Sequence, residues 1–274
     1  MDHSADLLQQ KTHFAFGKNW ASYAELVTPA KITEAVAGLK RLVGDELTGQ
    51  RWLDVGCGSG LHSLAALQLG AAEVVATDLD PDSVTTTRAL LTHLAPTARW
   101  QAREHSVFDL AQAGFGQFGV VYSWGVLHHT GDLSGALRAA AAAVAPGGLL
   151  VFALYRKTPL CSLWKLEKRF YAHASPRTQR LLRAGYIALY RLALRLTGRN
   201  LKRHIEEYQT NRGMDFAHDV HDWMGGWPYE SITPAQTAQA MSELGFTPVR
   251  SFLDTRGKLG LLGSGCDEYV YRKA

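Results

Sequence analysis

The segment Arg51–Gly60, RWLDVGCGSG, constrains the fold more than any other part of this 274-residue chain. Its first half is the apolar run of a buried strand, and its second half has glycine at positions 56, 58 and 60. Glycine adopts positive φ easily and leaves no Cβ between the backbone and a bound molecule. A helix is predicted to follow over residues 59–70, and its free N–H groups would face an anionic group. The segment therefore predicts a strand, a ligand-binding turn and a helix.

Two features of this turn select the ligand. The dinucleotide fingerprint G-x-G-x-x-G needs glycine where this chain has Leu61, because its third glycine comes one residue earlier. Asp54 also lies in the strand close to the turn, where its charge would repel a pyrophosphate. S-adenosylmethionine satisfies both conditions. Its carboxylate suits the helix N-terminus, and its ammonium and sulfonium groups suit an acidic neighbourhood.

Residues 73–80, EVVATDLD, predict the second strand. Asp78 stands near its end, about eighteen residues after Gly60. Nucleotide-binding α/β folds use an acid there to accept hydrogen bonds from ribose hydroxyls. Asp80 and Pro81 have the types typical of an N-cap and a first helical residue. This β-α-β unit, and the strand–helix alternation after it, predict an α/β fold with a mostly parallel sheet.

Four motifs along residues 50–155 resemble those of class I S-adenosylmethionine-dependent methyltransferases: LDVGCGSG, VVATDLDPDSV, FGVVYSWGVLHHTGD and APGGLLVFALY. The similarity is closest to the branch that contains the quinone-biosynthesis methyltransferases. It implies a Rossmann-like sheet, mostly parallel, with an antiparallel hairpin at one edge. The cofactor residues that it implies are Asp54, Gly56, Gly58 and Gly60 at the methionine end, Asp78 at the ribose, and Leu79, Ser106 and Val107 on the adenine faces. Trp124 is also predicted to contact the cofactor, because it stands at the end of the fourth strand, where ligands of open α/β sheets bind.

The chain divides into four predicted segments. Residues 1–48 are predicted to be N-terminal helices that form a lid, and residues 49–155 to be the α/β core that binds the cofactor. Residues 156–212 are predicted to form a helical insertion. It contains fourteen Lys or Arg residues and three acidic ones, although the net charge of the whole chain is only +4. Such an insertion either presents solvated helix faces or contacts an anionic partner. Residues 213–274 are predicted to hold an acceptor loop and the last part of the core.

The composition excludes several classes of protein. Hydrophobic residues make up 46% of the chain and charged residues 20%, which argues against disorder and favours one α/β core with additions. Three cysteines far apart do not indicate a disulfide framework, so we expect a cytoplasmic protein. The first ten residues have no pattern of a secretory signal. Pro146-Gly147-Gly148 breaks the apolar stretch 135–155, so no transmembrane segment is predicted.

Two histidines follow the fourth strand in SWGVLHHTGD. Ligands of open α/β sheets bind beyond the carboxyl ends of the strands. An imidazole with an ordinary pKa of about 6.5 can accept a proton near neutral pH. We therefore predict His129 as the first candidate for a general base and His128 as the second. The alternative is that both rings cap the next helix or hold the loop.

The segment 213–230, GMDFAHDVHDWMGGWPYE, groups aromatic, acidic and histidine residues around a Gly-Gly turn. It is predicted to bind the acceptor, since its rings can enclose a flat or apolar molecule. The alternative is a rigid loop packed on the core. The spacing of His218 and His221 is a weak signal for a metal, and no metal site is predicted. The predicted acceptor-binding residues are Trp20, Arg212, Trp223, Trp227 and Tyr229.

The leading interpretation is an enzyme that transfers the methyl group of S-adenosylmethionine to an oxygen or nitrogen of a small molecule. One alternative keeps the cofactor but releases methylthioadenosine instead of methylating an acceptor. Another is an RNA-associated methyltransferase or binding module, which the absence of an RNA-binding motif in the sequence disfavours. An NAD-dependent oxidoreductase is disfavoured by the glycine register and by Asp54. The sequence leaves the acceptor and the oligomeric state open.

Overall fold

A computed structural model describes residues 27–196, 216–254, 259–261 and 263–274. Most of the predicted N-terminal lid lies outside these residues, and so do two predicted acceptor-binding residues, Trp20 and Arg212. Their assignments stay predictions.

Seven strands form one sheet in the order β3-β2-β1-β4-β5-β7-β6. The first five strands pair in parallel, and β7 runs antiparallel to both β5 and β6. This arrangement confirms the predicted mostly parallel sheet with an antiparallel edge hairpin. The strands are β1 Arg51–Val55, β2 Glu73–Asp78, β3 Trp100–Glu104, β4 Phe118–Trp124, β5 Val144–Tyr155, β6 Phe246–Phe252 and β7 Cys266–Lys273.

The helices of the described residues begin mostly at recognisable caps. Thr28, Asp80 and Thr233 each accept a backbone N–H through their side chains, and a proline follows each of them at the start of the helix. The helices are α1 Pro29–Val43, α2 Leu61–Gln68, α3 Pro81–Leu94, α4 Leu133–Ala142, α5 Cys161–His173, α6 Pro176–Leu196, α7 Phe216–Gly225 and α8 Pro234–Glu243, with single 3₁₀ turns at Val107–Asp109 and Leu127–His129.

The sheet has an apolar core on each face. Successive residues of a strand point to opposite faces, so Leu53 and Val121 belong to one core cluster while Trp52 and Val120 belong to the other. Helix α4 packs in the first cluster, and helices α1 and α2 pack in the second. Both faces of the central strands are therefore covered, which is what a parallel sheet requires.

The strand order reverses at the centre of the sheet. The chain adds β2 and β3 on one side of β1 and then returns to place β4 on the other side. The connections that follow β1 and β4 therefore leave in opposite directions and open a crevice at the carboxyl ends of these strands. This edge is where the predicted cofactor and acceptor residues should meet.

The structure differs from the sequence-based expectation in the predicted acceptor loop. Its first half is helix α7, and Val220 and Met224 of this helix pack with Tyr171 of α5. Val220 and Met224 are four residues apart, so they lie on one face of this helix. The Gly-Gly pair at the end of the helix had favoured a loop in the sequence-based prediction. The acceptor segment is therefore docked on the insertion as well as on the core.

Helices α5 and α6 occupy the predicted basic insertion. Several of their large apolar side chains are exposed, among them Leu166, Phe170, Leu181 and Leu192. Contact of this surface with an anionic partner is not tested by the structure and stays a prediction. None of the described helices is long and apolar enough to cross a membrane.

Candidate functional site

The glycine turn after β1 has the predicted conformation, but its glycines serve partly another purpose. Gly56, Gly58 and Gly60 have φ of 79°, 52° and 80°. A Cβ on Gly56 would overlap the side chain of Val126, and a Cβ on Gly60 would lie 3.0 Å from the Cα of Thr87. Two of the three glycines are therefore required by close packing within the protein. The prediction that these glycines also leave the backbone bare for a ligand stays a prediction.

Asp54 is buried at the centre of the sheet. The hydroxyl of Ser63 donates a hydrogen bond of 2.7 Å to its Oδ2 atom. Burial raises the pKa of Asp54 to about 7, and the nearby charge of Asp78 contributes further, while the Ser63 hydrogen bond opposes the shift. Near neutral pH, the carboxyl group is therefore close to the midpoint between its charged and its protonated form.

Asp78 ends β2 and is bound by backbone amides of the turn. Its Oδ2 accepts a hydrogen bond of 3.0 Å from the Gly58 N–H, and its Oδ1 accepts one of 2.9 Å from the Asp80 N–H. Burial raises the pKa of Asp78 to about 6, although these hydrogen bonds lower it. The bond to Gly58 fixes the carboxylate beside the glycine turn.

The two carboxyl groups fit a cationic nucleoside. Within the described residues, a hydroxyl group and two backbone amides, all neutral, donate hydrogen bonds to them. A positively charged group placed between the carboxyl ends of β1 and β2 would stabilise their ionised forms. A carboxylate also keeps lone pairs with which to accept hydrogen bonds from ribose hydroxyls. Asp54 and Asp78 are therefore suitable for the sulfonium, ammonium and ribose of S-adenosylmethionine.

The predicted adenine contacts lie at the ends of β2 and β3. Leu79 follows Asp78 and is half-buried, and Ser106 caps the first 3₁₀ turn by accepting a hydrogen bond of 3.3 Å from the Phe108 N–H. Val107 is buried and packs in the core cluster that contains Leu53. Val107 thus has a structural task in addition to its predicted place beside the cofactor, which stays a prediction.

Trp124, predicted to contact the cofactor, is tied to the edge hairpin. Its indole N–H donates a hydrogen bond of 3.0 Å to Glu268 of β7, and Arg41 of α1 also binds this carboxylate.

On the same face of the sheet, the ring of His62 lies 5.1 Å from that of Tyr122. Burial lowers the pKa of His62 to about 4, so this ring is neutral near physiological pH.

His128 and His129 lie in the 3₁₀ turn after β4, and the structure separates their roles. The backbone N–H of Tyr155 donates a hydrogen bond of 3.3 Å to Nδ1 of His128. Nδ1 of His129 lies 2.7 Å from the carbonyl oxygen of Pro228. A carbonyl oxygen can only accept, so His129 carries its proton on Nδ1 and has Nε2 as its basic atom.

His128 is poorly suited to be a base. It is fully buried, and burial, with the nearby charges of His129 and Lys168, holds its pKa well below the usual range. Because its Nδ1 accepts a hydrogen bond, the proton of the neutral ring is on Nε2. The ring can therefore donate a hydrogen bond but has no available basic atom. The second-ranked candidate for general base is thus disfavoured by geometry, and His129 remains the candidate.

An aromatic cluster surrounds these histidines. The ring of Tyr155, at the end of β5, lies 3.9 Å from that of His128, 5.1 Å from that of Trp223 and 5.4 Å from that of Tyr229. The structure thus brings two predicted acceptor residues, Trp223 and Tyr229, to the two histidines. Trp227 is half-buried and precedes Pro228, whose carbonyl contacts His129.

Lys168 joins the insertion to this cluster. Its ammonium group lies 3.4 Å from the ring centroid of Trp223 and donates a hydrogen bond to the Trp223 carbonyl oxygen. It also lies 5.3 Å from the ring of Tyr229. A lysine buried against aromatic faces gains cation–π attraction that offsets part of its lost hydration. Lys168 therefore fixes the helix that carries Trp223.

Cys161 lies beneath Tyr229 at the start of α5. Its sulfur accepts hydrogen bonds from the Tyr229 hydroxyl at 3.3 Å and from the Thr158 N–H at 3.1 Å. Burial raises the pKa of the thiol, but hydrogen bonds from Ser231, Thr158 and Tyr229 outweigh burial and lower it overall. The contact orients Tyr229, whose hydroxyl also bonds Ser264.

Three residues of this cluster, Tyr155, Lys168 and Cys161, were not predicted from the sequence. Tyr155 had a usable signal, because it ends the strand next to β4 and the carboxyl edge of the sheet is where ligands bind. Lys168 and Cys161 had no such signal, and Lys168 is one of fourteen basic residues in its segment.

The described residues contain no group of three His, Cys, Asp or Glu side chains that could hold a metal ion. His221 instead bonds the Tyr171 hydroxyl at 2.8 Å.

Comparison with known sequences gives a family match over most of the chain. A family described as a methyltransferase domain matches residues 30–250. A ubiquinone biosynthesis O-methyltransferase from Xanthomonas euvesicatoria pv. vesicatoria (strain 85-10) is 40% identical over 114 residues, which are 42% of this chain and 46% of the relative. Its counterpart from Xanthomonas campestris pv. campestris (strain B100) is 41% identical over 113 residues, or 41% and 46% of the two chains. The matched region thus spans about half the length of these relatives.

Comparison with solved structures supports the fold. Magnesium protoporphyrin IX methyltransferase from Synechocystis PCC 6803, with bound S-adenosylhomocysteine, has a TM-score of 0.51 at 17% identity, with 89% of this chain and 81% of that chain covered. An N-methyltransferase from Bradyrhizobium japonicum WM9, with the same ligand, has a TM-score of 0.51 at 12% identity, covering 90% and 88%. At these identities the likeness establishes a shared Rossmann-like architecture and nothing finer.

The packing of the glycine turn can be tested with a matched pair of substitutions. Gly49 and Gly60 both have positive φ, but a Cβ on Gly49 meets nothing within 4 Å. Gly49→Ala should lower the free energy of unfolding by about 1 kcal/mol through backbone strain alone. Gly60→Ala should lower it by about 3 kcal/mol, because overlap with Thr87 adds to the strain. Urea denaturation measures both values, and equal losses would contradict the packing argument.

Proposed function

Since the chain belongs to the methyltransferase-domain family and uses S-adenosylmethionine as its cofactor, we propose that it methylates an oxygen or nitrogen atom of a small molecule. The family assignment confirms the prediction of an S-adenosylmethionine-dependent methyltransferase. The nature of the acceptor is the proposal. An oxygen acceptor is favoured, because the relatives at about 40% identity are named O-methyltransferases. The RNA-associated alternative has no further support among the described residues.

The observation that carries this proposal is the juxtaposition of two sites along one edge of the sheet. The acidic pair, Asp54 and Asp78, lies at the carboxyl ends of β1 and β2. The two histidines follow β4, and their aromatic cluster includes Tyr155 at the end of β5. Strands β1 and β4 are neighbours. A cofactor held by the first pair would therefore lie beside an acceptor held by the second group, as an in-line displacement requires.

The residues of the chain then have distinct tasks. The bound cofactor supplies an activated methyl group, so the protein must mainly hold two molecules in line and take one proton. Asp54 and Asp78 bind the cofactor by charge and hydrogen bonds. His129, oriented by the Pro228 carbonyl, presents Nε2 to accept the proton of an acceptor hydroxyl. The rings of Tyr155 and Trp223 exclude water from the acceptor.

The direct test is to identify the nucleoside product. The purified protein would be incubated with S-adenosylmethionine, with and without a small-molecule extract of the source cells, and the products analysed by mass spectrometry. We expect S-adenosylhomocysteine to form only when the extract is present. A new compound should then appear with a mass about 14 Da, or one CH₂ group, above that of an extract component. Methylthioadenosine formed without extract would contradict methyl transfer and indicate that the cofactor is itself the substrate.

Asp78→Ala tests the ribose contact. The substitution should weaken binding of S-adenosylmethionine by about 1–3 kcal/mol, because it removes charge-assisted hydrogen bonds. Asp82→Ala is the matched control, since this nearby aspartate is exposed at the start of α3. Isothermal titration calorimetry measures both affinities. Equal affinities in the two variants would remove Asp78 from the cofactor site.

The raised pKa values predict how cofactor binding depends on pH. Asp54 has a pKa of about 7 and Asp78 of about 6, so protons compete with a cation for these groups as the pH falls. The affinity should be nearly constant above about pH 8 and fall on the order of tenfold by about pH 6. His62, with its pKa of about 4, does not titrate in this range. Asp54→Asn should bind more weakly with a flatter profile, whereas a flat profile in the wild type would contradict the assignment.

His129→Ala tests the proposed base. Turnover should fall on the order of a hundredfold with little change in cofactor affinity, because general-base catalysis contributes about that much. His93→Ala is the control, since His93 is exposed near the end of α3. Initial rates with the extract measure turnover. If His129→Ala retains the turnover of His93→Ala, then His129 has only a structural role.

A further inference from the structure

His128 has a defined tautomer, which makes it a hydrogen-bond donor. The backbone N–H of Tyr155 lies 3.3 Å from Nδ1 of His128. A backbone amide can only donate, so Nδ1 must accept, and the single proton of the neutral ring lies on Nε2. Which nitrogen carries the proton is therefore set by the main chain of β5.

This donor has no acceptor within the part of the chain that the structure describes. Nε2 of His128 is buried without a hydrogen-bond partner, and the same holds for Nε1 of Trp223. An indole N–H is also only a donor. Buried donors without partners cost free energy and are uncommon in native proteins. Two of them in one cluster require an explanation.

The two side chains that carry these donors both pack against the ring of Tyr155. The centroid of Tyr155 is 3.9 Å from that of His128 and 5.1 Å from that of Trp223. His128 itself is fully buried, whereas Tyr155 and Trp223 are partly exposed. The donor atoms themselves are buried, and the cluster reaches the surface at the rings of Tyr155 and Trp223. His129 is next to His128, with its ring centroid 4.4 Å away.

We propose that the N–H groups of His128 and Trp223 bind two oxygen atoms of a flat, oxygen-bearing acceptor molecule, packed against Tyr155. The proposal rests on the proposed function, because it places the acceptor in the same site. His128 is then a substrate-binding residue that determines specificity, and His129 is the residue that accepts the proton. An acceptor without oxygen atoms at these positions would leave both donors buried and unpaired, which disfavours its binding.

Two substitutions of His128 distinguish a donor from a base. His128→Gln can place an amide N–H near the position of Nε2, whereas His128→Phe keeps the ring and removes the donor. Transfer of label from methyl-labelled S-adenosylmethionine into a small-molecule extract would be measured over a series of extract concentrations. The extract concentration at half-saturation should rise about tenfold in His128→Phe and less than about threefold in His128→Gln, with the maximal rate little changed.

A loss of maximal rate in both variants, with unchanged half-saturation, would assign a proton-transfer role to His128 and overturn the proposal. Equal rises in half-saturation in His128→Gln and His128→Phe would also overturn it, because a donor role predicts rescue by glutamine.

A stability measurement tests the unpaired donors without using activity. Trp164→Phe is the matched control, because the Trp164 indole N–H donates a hydrogen bond of 2.6 Å to the Gly260 carbonyl and its ring packs 5.6 Å from that of Trp223. In the absence of extract, Trp164→Phe should lower the Tm by about 3 °C and Trp223→Phe by less than about 1 °C. Equal losses would show that the Trp223 N–H is already paired within the protein, and would overturn the proposal.

The two measurements also separate this proposal from the proposed function. If the wild type methylates no component of the extract, the proposed function fails, while the Tm comparison still decides whether the Trp223 donor is unpaired. If methylation occurs but the Tm losses are equal, the methyl transfer stands and the binding role of the donors fails.

Discussion

The hydrogen-bonded pairing of β1 with β4 is the constraint on which the site depends. The two strands run parallel and adjacent, although two strands and two helices separate them along the chain. Their loops leave in opposite directions, so the carboxyl edge of the sheet opens at this point. The acids at the carboxyl ends of β1 and β2 lie on one side of the opening, and the histidines after β4 lie on the other. The predicted cofactor and acceptor residues are brought to one edge because the strand order reverses.

Burial determines the chemistry of each polar group along this edge. It raises the pKa of Asp54 and Asp78 towards neutrality and lowers the pKa of His62 and His128. In each case the largest cause is the hydration that the charged form loses on burial. The acidic side is therefore prepared for a cation, and the histidine side is prepared for neutral hydrogen bonding. Burial favours the neutral form of every one of these groups, so it raises the pKa of the acids and lowers the pKa of the histidines.

The basic insertion has a structural connection to the site. Lys168 of α5 reaches under Trp223 and bonds its carbonyl oxygen, and Tyr171 of the same helix packs on α7. Cys161, at the start of α5, bonds the hydroxyl of Tyr229. The insertion thus positions the aromatic wall of the proposed acceptor site, apart from any contact that its exposed surface makes.

Most of the fold and the cofactor edge followed from local patterns. The glycine spacing, the strand that ends at Asp78 and the proline-started helices each depend on residues close together in the chain. His129 could also be predicted from the sequence, because it lies in the turn after a strand that the pattern predicted. Helix α7 was missed, since the Gly-Gly turn and mixed composition of its segment resembled a loop. Lys168 and Cys161 were missed because nothing near them in sequence distinguishes them from solvent-facing or ordinary buried residues.

The sequence by itself determined the β-α-β unit, the acidic and glycine-rich turn, and the cationic nucleoside that such a turn binds, because all of these depend on short-range geometry and charge. Only the tertiary structure decided which nitrogen of each histidine carries the proton, and therefore which ring suits the proposed base. The difference between His128 and His129 is the group that each Nδ1 meets, a backbone N–H of Tyr155 or the carbonyl oxygen of Pro228. Those partners lie 27 and 99 residues away in the chain, so the tautomer of each ring follows from the fold and not from the neighbouring residues.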